Sequence, residues 1–234
     1  MPLRWVKRQY LERTFHKLRQ WDAEAGERPD KILVSSKEIQ RRVELYWRRE
    51  SEVLYPPVDV SNFDVNKGNR DDYYVIASTL VAYKRIELAI EACNKLGKTL
   101  KIAGEGPHRK SLEKLAGPTI EFLGYVNQKD LAELLQKARA FIFPGYEDFG
   151  IAPIEAMSCG TPVIAFCKGG ALETVIEGKT GEFFEESTVE SLVSAIKAFE
   201  SNSYDADACR KQAERFSCEK FETGLKSSIQ ELFT

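Results

Sequence analysis

Two carboxylates, Glu147 and Glu155, stand eight positions apart across a helix start in the run Pro-Gly-Tyr-Glu-Asp-Phe-Gly-Ile-Ala-Pro-Ile-Glu-Ala-Met-Ser-Cys-Gly-Thr-Pro, residues 144–162. Ionised carboxylates only accept hydrogen bonds, so a pair of them suits the hydroxyls of a polyol. Pro153 fits a first helical turn, where a missing N–H costs nothing. Gly160 suits the left-handed residue after the last turn, and Pro162 blocks continuation. The free N–H groups of the first turn, near Gly150 and Ile151, make an anion site. An anion and a polyol held together describe a nucleotide-sugar.

Other segments add candidates. Lys84 ends the stretch Ser78-Thr79-Leu80-Val81-Ala82-Tyr83-Lys84 just where a helix begins, so its ammonium can reach a diphosphate at that strand end; the plain alternative is a solvated loop lysine. Gly104-Glu105-Gly106-Pro107 is a turn that lets backbone approach a ligand, and equally a common connector. Gly169 and Gly170 precede a helix-like segment, where paired N–H groups can bind phosphate or simply make a tight turn. Asp148 is expected to cap the helix that follows it. His16 and His108 read as surface groups, and the aromatic set at 5, 10, 15 and 21 as packing.

These residues need strands and helices to aim them, and the hydrophobic pattern supplies both. Strands are expected at 31–34, 53–54, 74–78, 99–103, 120–123, 141–143, 163–166 and 181–184. Helices are expected at about 36–49, 85–96, from the Gly104–Pro107 turn to Ala116, 128–137 and 151–159, with three more after Thr188. A further helix, Arg4 to Trp21, is amphipathic and rich in aromatics. Strands separated by helices imply right-handed crossovers and a parallel, doubly wound Rossmann-like sheet, with ligand at the carboxyl ends of its strands. The polar stretch 61–72 reads as a linker.

Bulk properties exclude several classes. The chain of 234 residues has 43% apolar and 30% charged residues and a net charge of −2, so no electrostatic field recruits nucleic acid. Five cysteines without metal-ligand spacing, and only two histidines, argue against a zinc site. Free thiols point to a reducing cytoplasm. No apolar run reaches the ~20 residues of a membrane span, which leaves at most a peripheral membrane position.

The run Glu147 to Glu155 resembles the Glu-x7-Glu motif of family 4 retaining glycosyltransferases, enzymes of the two-domain glycosyltransferase B fold. Lys84, the Gly104–Pro107 turn, Phe122-Leu123-Gly124-Tyr125-Val126 and Gly169-Gly170-Ala171-Leu172-Glu173 follow in the family's order, and Tyr55-Pro56-Pro57-Val58-Asp59 is similar to the interdomain connection of mannosyltransferase-like members. The resemblance implies that Glu147 binds donor-sugar hydroxyls and Glu155 the ribose. It implies that Phe149, Gly150 and Ile151 offer backbone N–H groups to sugar and phosphate. Lys84 would neutralise the diphosphate without metal or other cofactor, Gly104 and Gly106 would stand at the ligand with Gly169 and Gly170, and Gly124, Tyr125 and Val126 would line the base. The donor would be a nucleotide-sugar, foremost GDP-mannose, and the acceptor a glycan or lipid-linked glycan.

Two departures accompany the resemblance. Thr79 stands where the family usually has an arginine, leaving Arg85 as the substitute cation. Most of the amino-terminal domain is missing, so residues 1–60 are expected to be its remnant with the interdomain connection, 61–216 the donor-binding domain, and 217–234 a crossover helix. A separate N-terminal half, or self-association through the first helix, would follow. The rival readings are an inactive nucleotide-sugar-binding module, one half of a split enzyme, or an unrelated doubly wound epimerase or phosphatase. The lack of a Gly-x-Gly-x-x-Gly fingerprint after an early strand counts against the epimerase.

Overall fold

A computed structural model describes residues 2–233, and side chains from Trp5 onward; Met1 and Thr234, the ends of the expected first and third units, lie outside the described residues. Six strands form one parallel sheet: β3 (Tyr73–Ala77), β4 (Thr99–Ala103), β5 (Ile120–Gly124), β6 (Ala140–Phe143), β7 (Val163–Phe166) and β8 (Gly181–Phe184). Their spatial order is β5-β4-β3-β6-β7-β8. The chain winds outward from β3 to β5, returns to β6 beside β3, and winds outward again. The topological switch point therefore lies between β3 and β6, and a ligand crevice is expected beyond their carboxyl ends.

Both faces of the sheet are covered, which explains its near-continuous apolar strands; two short helices, α4 (Arg109–Glu113) and α7 (Ala171–Thr174), follow β4 and β7. Alternate residues of β3 divide between two cores. Tyr74 and Ile76 join Ile102, Ile142 and Ile164 on one side, packed by α3 (Ile86–Leu96) and α8 (Val189–Ser201). Tyr73 and Val75 join Phe141, Phe143 and Val163 on the other, packed by α5 (Gln128–Lys137), α6 (Ile151–Ser158) and α9 (Ala206–Ala213).

The polar segment 61–72 is tied down rather than loose. Arg70, desolvated between strand and helix, donates to the carbonyls of Gln136, Ala138 and Gly160 and to the Thr161 hydroxyl at 2.6–3.1 Å. Its guanidinium satisfies carbonyls that would otherwise be buried without donors.

Ahead of the sheet, β1 (Leu33–Val34) and β2 (Glu52–Val53) pair in parallel around α2 (Lys37–Trp47), whose Ser36 hydroxyl caps the Ile39 N–H at 3.1 Å. The first helix, α1, runs Pro2–Gly26, longer than its apolar pattern suggests. It meets α2 where Trp47 donates to Asp22 at 2.9 Å, and Trp5, Tyr10, Phe15, Leu18 and Trp21 all stay exposed, so the packing role expected of those aromatics is not met within this chain. The last helix, α10 (Cys218–Gln230), returns to β2, where Ser228 donates to Glu52 at 2.9 Å.

Candidate functional site

Lys84 follows β3 and Glu147 follows β6, so the switch point itself brings them together. Gly145 permits the approach: a Cβ there would lie 2.8 Å from the Lys84 Cα and 3.0 Å from its carbonyl oxygen. The Lys84 ammonium closes on the Glu147 carboxylate, and the two side chains are only 17% and 18% exposed. Thr79, Lys84, Glu147, Phe149, Gly150 and Ile151 line a cavity of about 350 Å³, with Ser35 and Pro56 on its far side.

Above the pair, α6 starts without a side-chain cap. Gly150 holds φ +90°, and a Cβ there would press within 2.7 Å of the Phe143 ring, so glycine is required on two counts. Other helices are capped by Ser36, Asn127, Thr188, Asp205 and Ser217. Asp148, expected as the cap here, instead pairs with Arg42 at 2.9 Å. The first-turn amides of Ile151 and Ala152 are left without a side-chain acceptor, at a helix end that favours negative charge. Phe149 is held by its ring, stacked 5.7 Å from Tyr55 and edge-on 5.5 Å from Phe216.

Glu155 lies one turn along α6, four residues after Ile151 and hence on the same face. It is half-buried, and among the described residues its carboxylate has no hydrogen-bond or ion-pair partner. Burial pushes its carboxyl above the usual range. It sits beyond the 350 Å³ cavity rather than in its lining. Glu147 thus lines the cavity paired with a cation, and Glu155 follows one helical turn beyond Ile151 with its carboxylate unpaired.

Arg85 is turned away from this cavity. Its Nε donates to Glu87 at 2.6 Å, and its backbone sits at φ +53°, where a non-glycine residue pays roughly 1–2 kcal/mol. The substitute cation expected for Thr79 is therefore not in the cavity, which Thr79 lines together with Ala77 and Ser78.

The glycine turns meet backbone rather than open space. Cβ atoms at Gly104 and Gly106 would lie 1.9 Å from the Ser78 carbonyl oxygen and 2.4 Å from that of Leu80. The loops after β3 and β4 are knitted by Ser78 N–H to Ala103 O at 3.0 Å and Leu80 N–H to Glu105 O at 2.9 Å. The Gly104 N–H then donates to Gly124 O at 2.7 Å, bringing in the end of β5. These glycines hold the segment that ends in Lys84. Val126 is half-buried, and Tyr125 is 79% exposed, its ring free to take a stacking partner.

Gly169 and Gly170 behave likewise. Their Cβ atoms would fall 2.2 Å from the Glu147 carbonyl oxygen and 2.2 Å from the Phe149 Cα, and the Gly170 N–H donates to Glu147 O at 2.9 Å. That amide supports the Glu147 loop instead of pointing at a phosphate.

No local pattern in the chain foretells what fastens α2 beside this loop. Glu173 receives the Lys37 N–H on both oxygens at 3.0 Å, the Glu38 N–H at 3.4 Å and the Tyr55 hydroxyl at 3.0 Å, so a carboxylate 136 residues away caps α2 beside Ser36. Burial, then this hydrogen bond, push the Tyr55 hydroxyl up to about 12. Glu38 in turn accepts from the Tyr146 hydroxyl at 2.5 Å, which holds its carboxyl below the usual range, and Arg42 donates to the same hydroxyl at 2.9 Å. Contacts at such separation leave no periodic trace. Among the described residues, no three His, Cys, Asp or Glu side chains converge as metal ligands, and no helix is long and apolar enough to cross a membrane.

Residues 59–216 match the family described as Glycosyl transferases group 1. The chain belongs to that family. This group 1 chain is 26% identical to an uncharacterised glycosyltransferase of Methanocaldococcus jannaschii over 87% of its own length and 60% of that protein's. It is 32% identical to an alpha-1,3/1,6-mannosyltransferase of Dictyostelium discoideum, over 87% of itself and 61% of the relative. Among solved structures it superposes on sucrose-phosphate synthase from Thermosynechococcus elongatus with a TM-score of 0.81 at 22% identity, covering 93% of this chain and 62% of that one. For Anabaena HepE in complex with UDP and glucose the TM-score is 0.76 at 19% identity, covering 86% and 62%. The glycosyltransferase B fold is thus shared, and the chain spans about 60% of the length of these proteins.

Proposed function

We propose that this chain carries the donor site of a retaining, family 4-type glycosyltransferase, which transfers a hexose, foremost mannose from GDP-mannose, to a glycan or lipid-linked acceptor. The observation that carries the reading is the Lys84–Glu147 pair at the switch point, beneath the uncapped start of α6. In it the diphosphate lies between the Lys84 ammonium and the amides of Ile151 and Ala152. The sugar's hydroxyls take over the Glu147 carboxylate, and the unpaired Glu155 accepts from the ribose. As the bond from C1 to the phosphate oxygen breaks, its electrons pass to the diphosphate, where cation and helix end already oppose the growing charge. The acceptor hydroxyl attacks C1 from the face the phosphate leaves, and its proton goes to the departing oxygen. The Dictyostelium mannosyltransferase supports mannose, and the Anabaena complex supports a nucleotide-sugar donor of some kind. Residues 1–60, on this reading, are the end of an acceptor domain.

Thr79, in place of a second cation at the cavity, favours a slower enzyme or a binding module. Incubation of the chain with labelled GDP-mannose decides between them. Transfer, or slow hydrolysis abolished in Lys84→Ala, supports the enzyme; binding with neither supports the module; no binding of any nucleotide-sugar removes the donor site.

A further inference from the structure

A second cleft, of about 750 Å³, backs onto the segments that build the donor cavity. Neighbouring residues serve the two in alternation. Lys84 and Glu147 line the first, while Tyr83, Arg85 and Tyr146 line the second. Lys168 and Leu172 close one side, and α2 supplies Arg41 on the other. Three cations therefore face one space, opposed by Glu38, whose carboxylate is already held by Arg41, Arg42 and Tyr146.

Arg85 is the informative residue. The chain keeps it at a left-handed φ of +53°, a conformation that glycine adopts freely and other residues seldom do. Such outliers concentrate at ligand-binding positions. Glu87 engages only its Nε, so both terminal nitrogens of the fork lack a hydrogen-bond or ion-pair partner among the described residues. The Lys168 ammonium lacks one too and rests 5.5 Å from the Phe166 ring centroid. Planar guanidinium plus ammonium is the donor set that phosphate selects. Tyr83 and Leu172, 61% and 53% exposed, add apolar surface beside the charge.

From this arrangement we infer that the second cleft binds the phosphate of an acceptor, with Arg85 and Lys168 on its oxygens and an apolar or sugar portion along Tyr83 and Leu172. Calling the ligand an acceptor rests on the donor reading above. The phosphate can belong to an isoprenoid lipid or to a sugar phosphate, and the two are separable by titration.

The test titrates the full chain calorimetrically with farnesyl phosphate below its micelle concentration, with mannose 6-phosphate, and with farnesol and mannose as uncharged controls. One phosphorylated probe binds and its control does not; which probe it is names the source. Lys168→Ala and Arg85→Gly, the latter suited to the left-handed backbone, each weaken that binding at least tenfold with melting temperatures retained. Lys168→Ala leaves GDP affinity unchanged, and GDP does not compete with the probe. Equal binding in the variants, competition by GDP, or no binding of either phosphate while GDP still binds overturns the cleft assignment alone. Failure of the wild-type chain to bind any nucleotide removes the acceptor assignment together with the donor reading.

Discussion

The Lys84 ammonium and the Glu147 carboxylate neutralise each other across the gap between β3 and β6. Each is more than four-fifths shielded from water, so neither is held by solvent. A diphosphate entering the cavity offers the lysine a new partner, and a sugar offers hydroxyls to the glutamate. On the donor-site proposal, the pair keeps these two groups folded inward until both halves of a nucleotide-sugar arrive.

Removal of the lysine leaves Glu147 largely shielded from water without its cation. For Lys84→Ala, turnover should fall on the order of 10²–10³-fold, the scale of losing one pre-aimed charge at a leaving group. Stability should fall by about 1–3 kcal/mol for the orphaned carboxylate. Rapid-quench assay and thermal melting read the two separately.

Glu155 links stability to pH. Burial raises its folded pKa above the unfolded value, so its favourable contribution is full below the ordinary carboxylate range and is lost as pH rises through the raised value. Carboxyls held low, such as Glu38, add a rising slope of their own, so the reading is the difference: from pH 4 to 7 the melting temperature of the wild type should fall relative to that of Glu155→Gln, which should be the more stable protein at neutral pH. Nucleotide affinity should move the opposite way with pH, strengthening as the carboxylate ionises.

Much of this arrangement was legible in the chain, and the illegible part has a common cause. Strand and helix periods placed β4, α5, β7 and β8 at their observed bounds, because each buries a regular face. The Glu147–Glu155 spacing and the chain breakers Gly160 and Pro162 marked α6. Glycines left two readings open: Gly104 and Gly170 suit ligand contacts or plain turns alike, and their missing side chains make room for backbone of Ser78 and Phe149. Asp148 read as a local cap but found Arg42, and Glu173 caps a helix from 136 residues away. Tertiary pairing of charges is not encoded in local order.

Loop-on-loop contact makes Gly170 intolerant. Gly170→Ala, whose Cβ meets the Phe149 backbone at 2.2 Å, should cost about 3 kcal/mol and shift melting by roughly 6–12 °C. Gly97→Ala, at φ +64° with nothing within 4 Å, should cost only ~1 kcal/mol of backbone strain, or about 2–4 °C. Calorimetric melting of both variants provides the comparison.

The Glu173 cap joins α2 to the short helix Ala171–Thr174. Glu173→Ala should lower stability by roughly 0.5–2 kcal/mol, as loss of a helix cap does. Amide exchange should quicken at Lys37 and Glu38, the two N–H groups it holds, with far less change in β3.

Thr79 borders the cavity from an exposed position, so a cation placed there is partly screened. Thr79→Arg should tighten nucleoside diphosphate binding only modestly, by roughly fivefold, and more at low salt than at high. Titration at two ionic strengths reads both effects.

The most direct measurement is calorimetric titration of GDP-mannose and UDP-glucose into the wild-type chain and into Glu155→Ala. One donor should bind the wild type, with affinity falling about 10- to 100-fold in the variant, the value of hydrogen bonds to a charged acceptor. Identical affinity in the two proteins would contradict the placement of a nucleotide-sugar along the α6 wall.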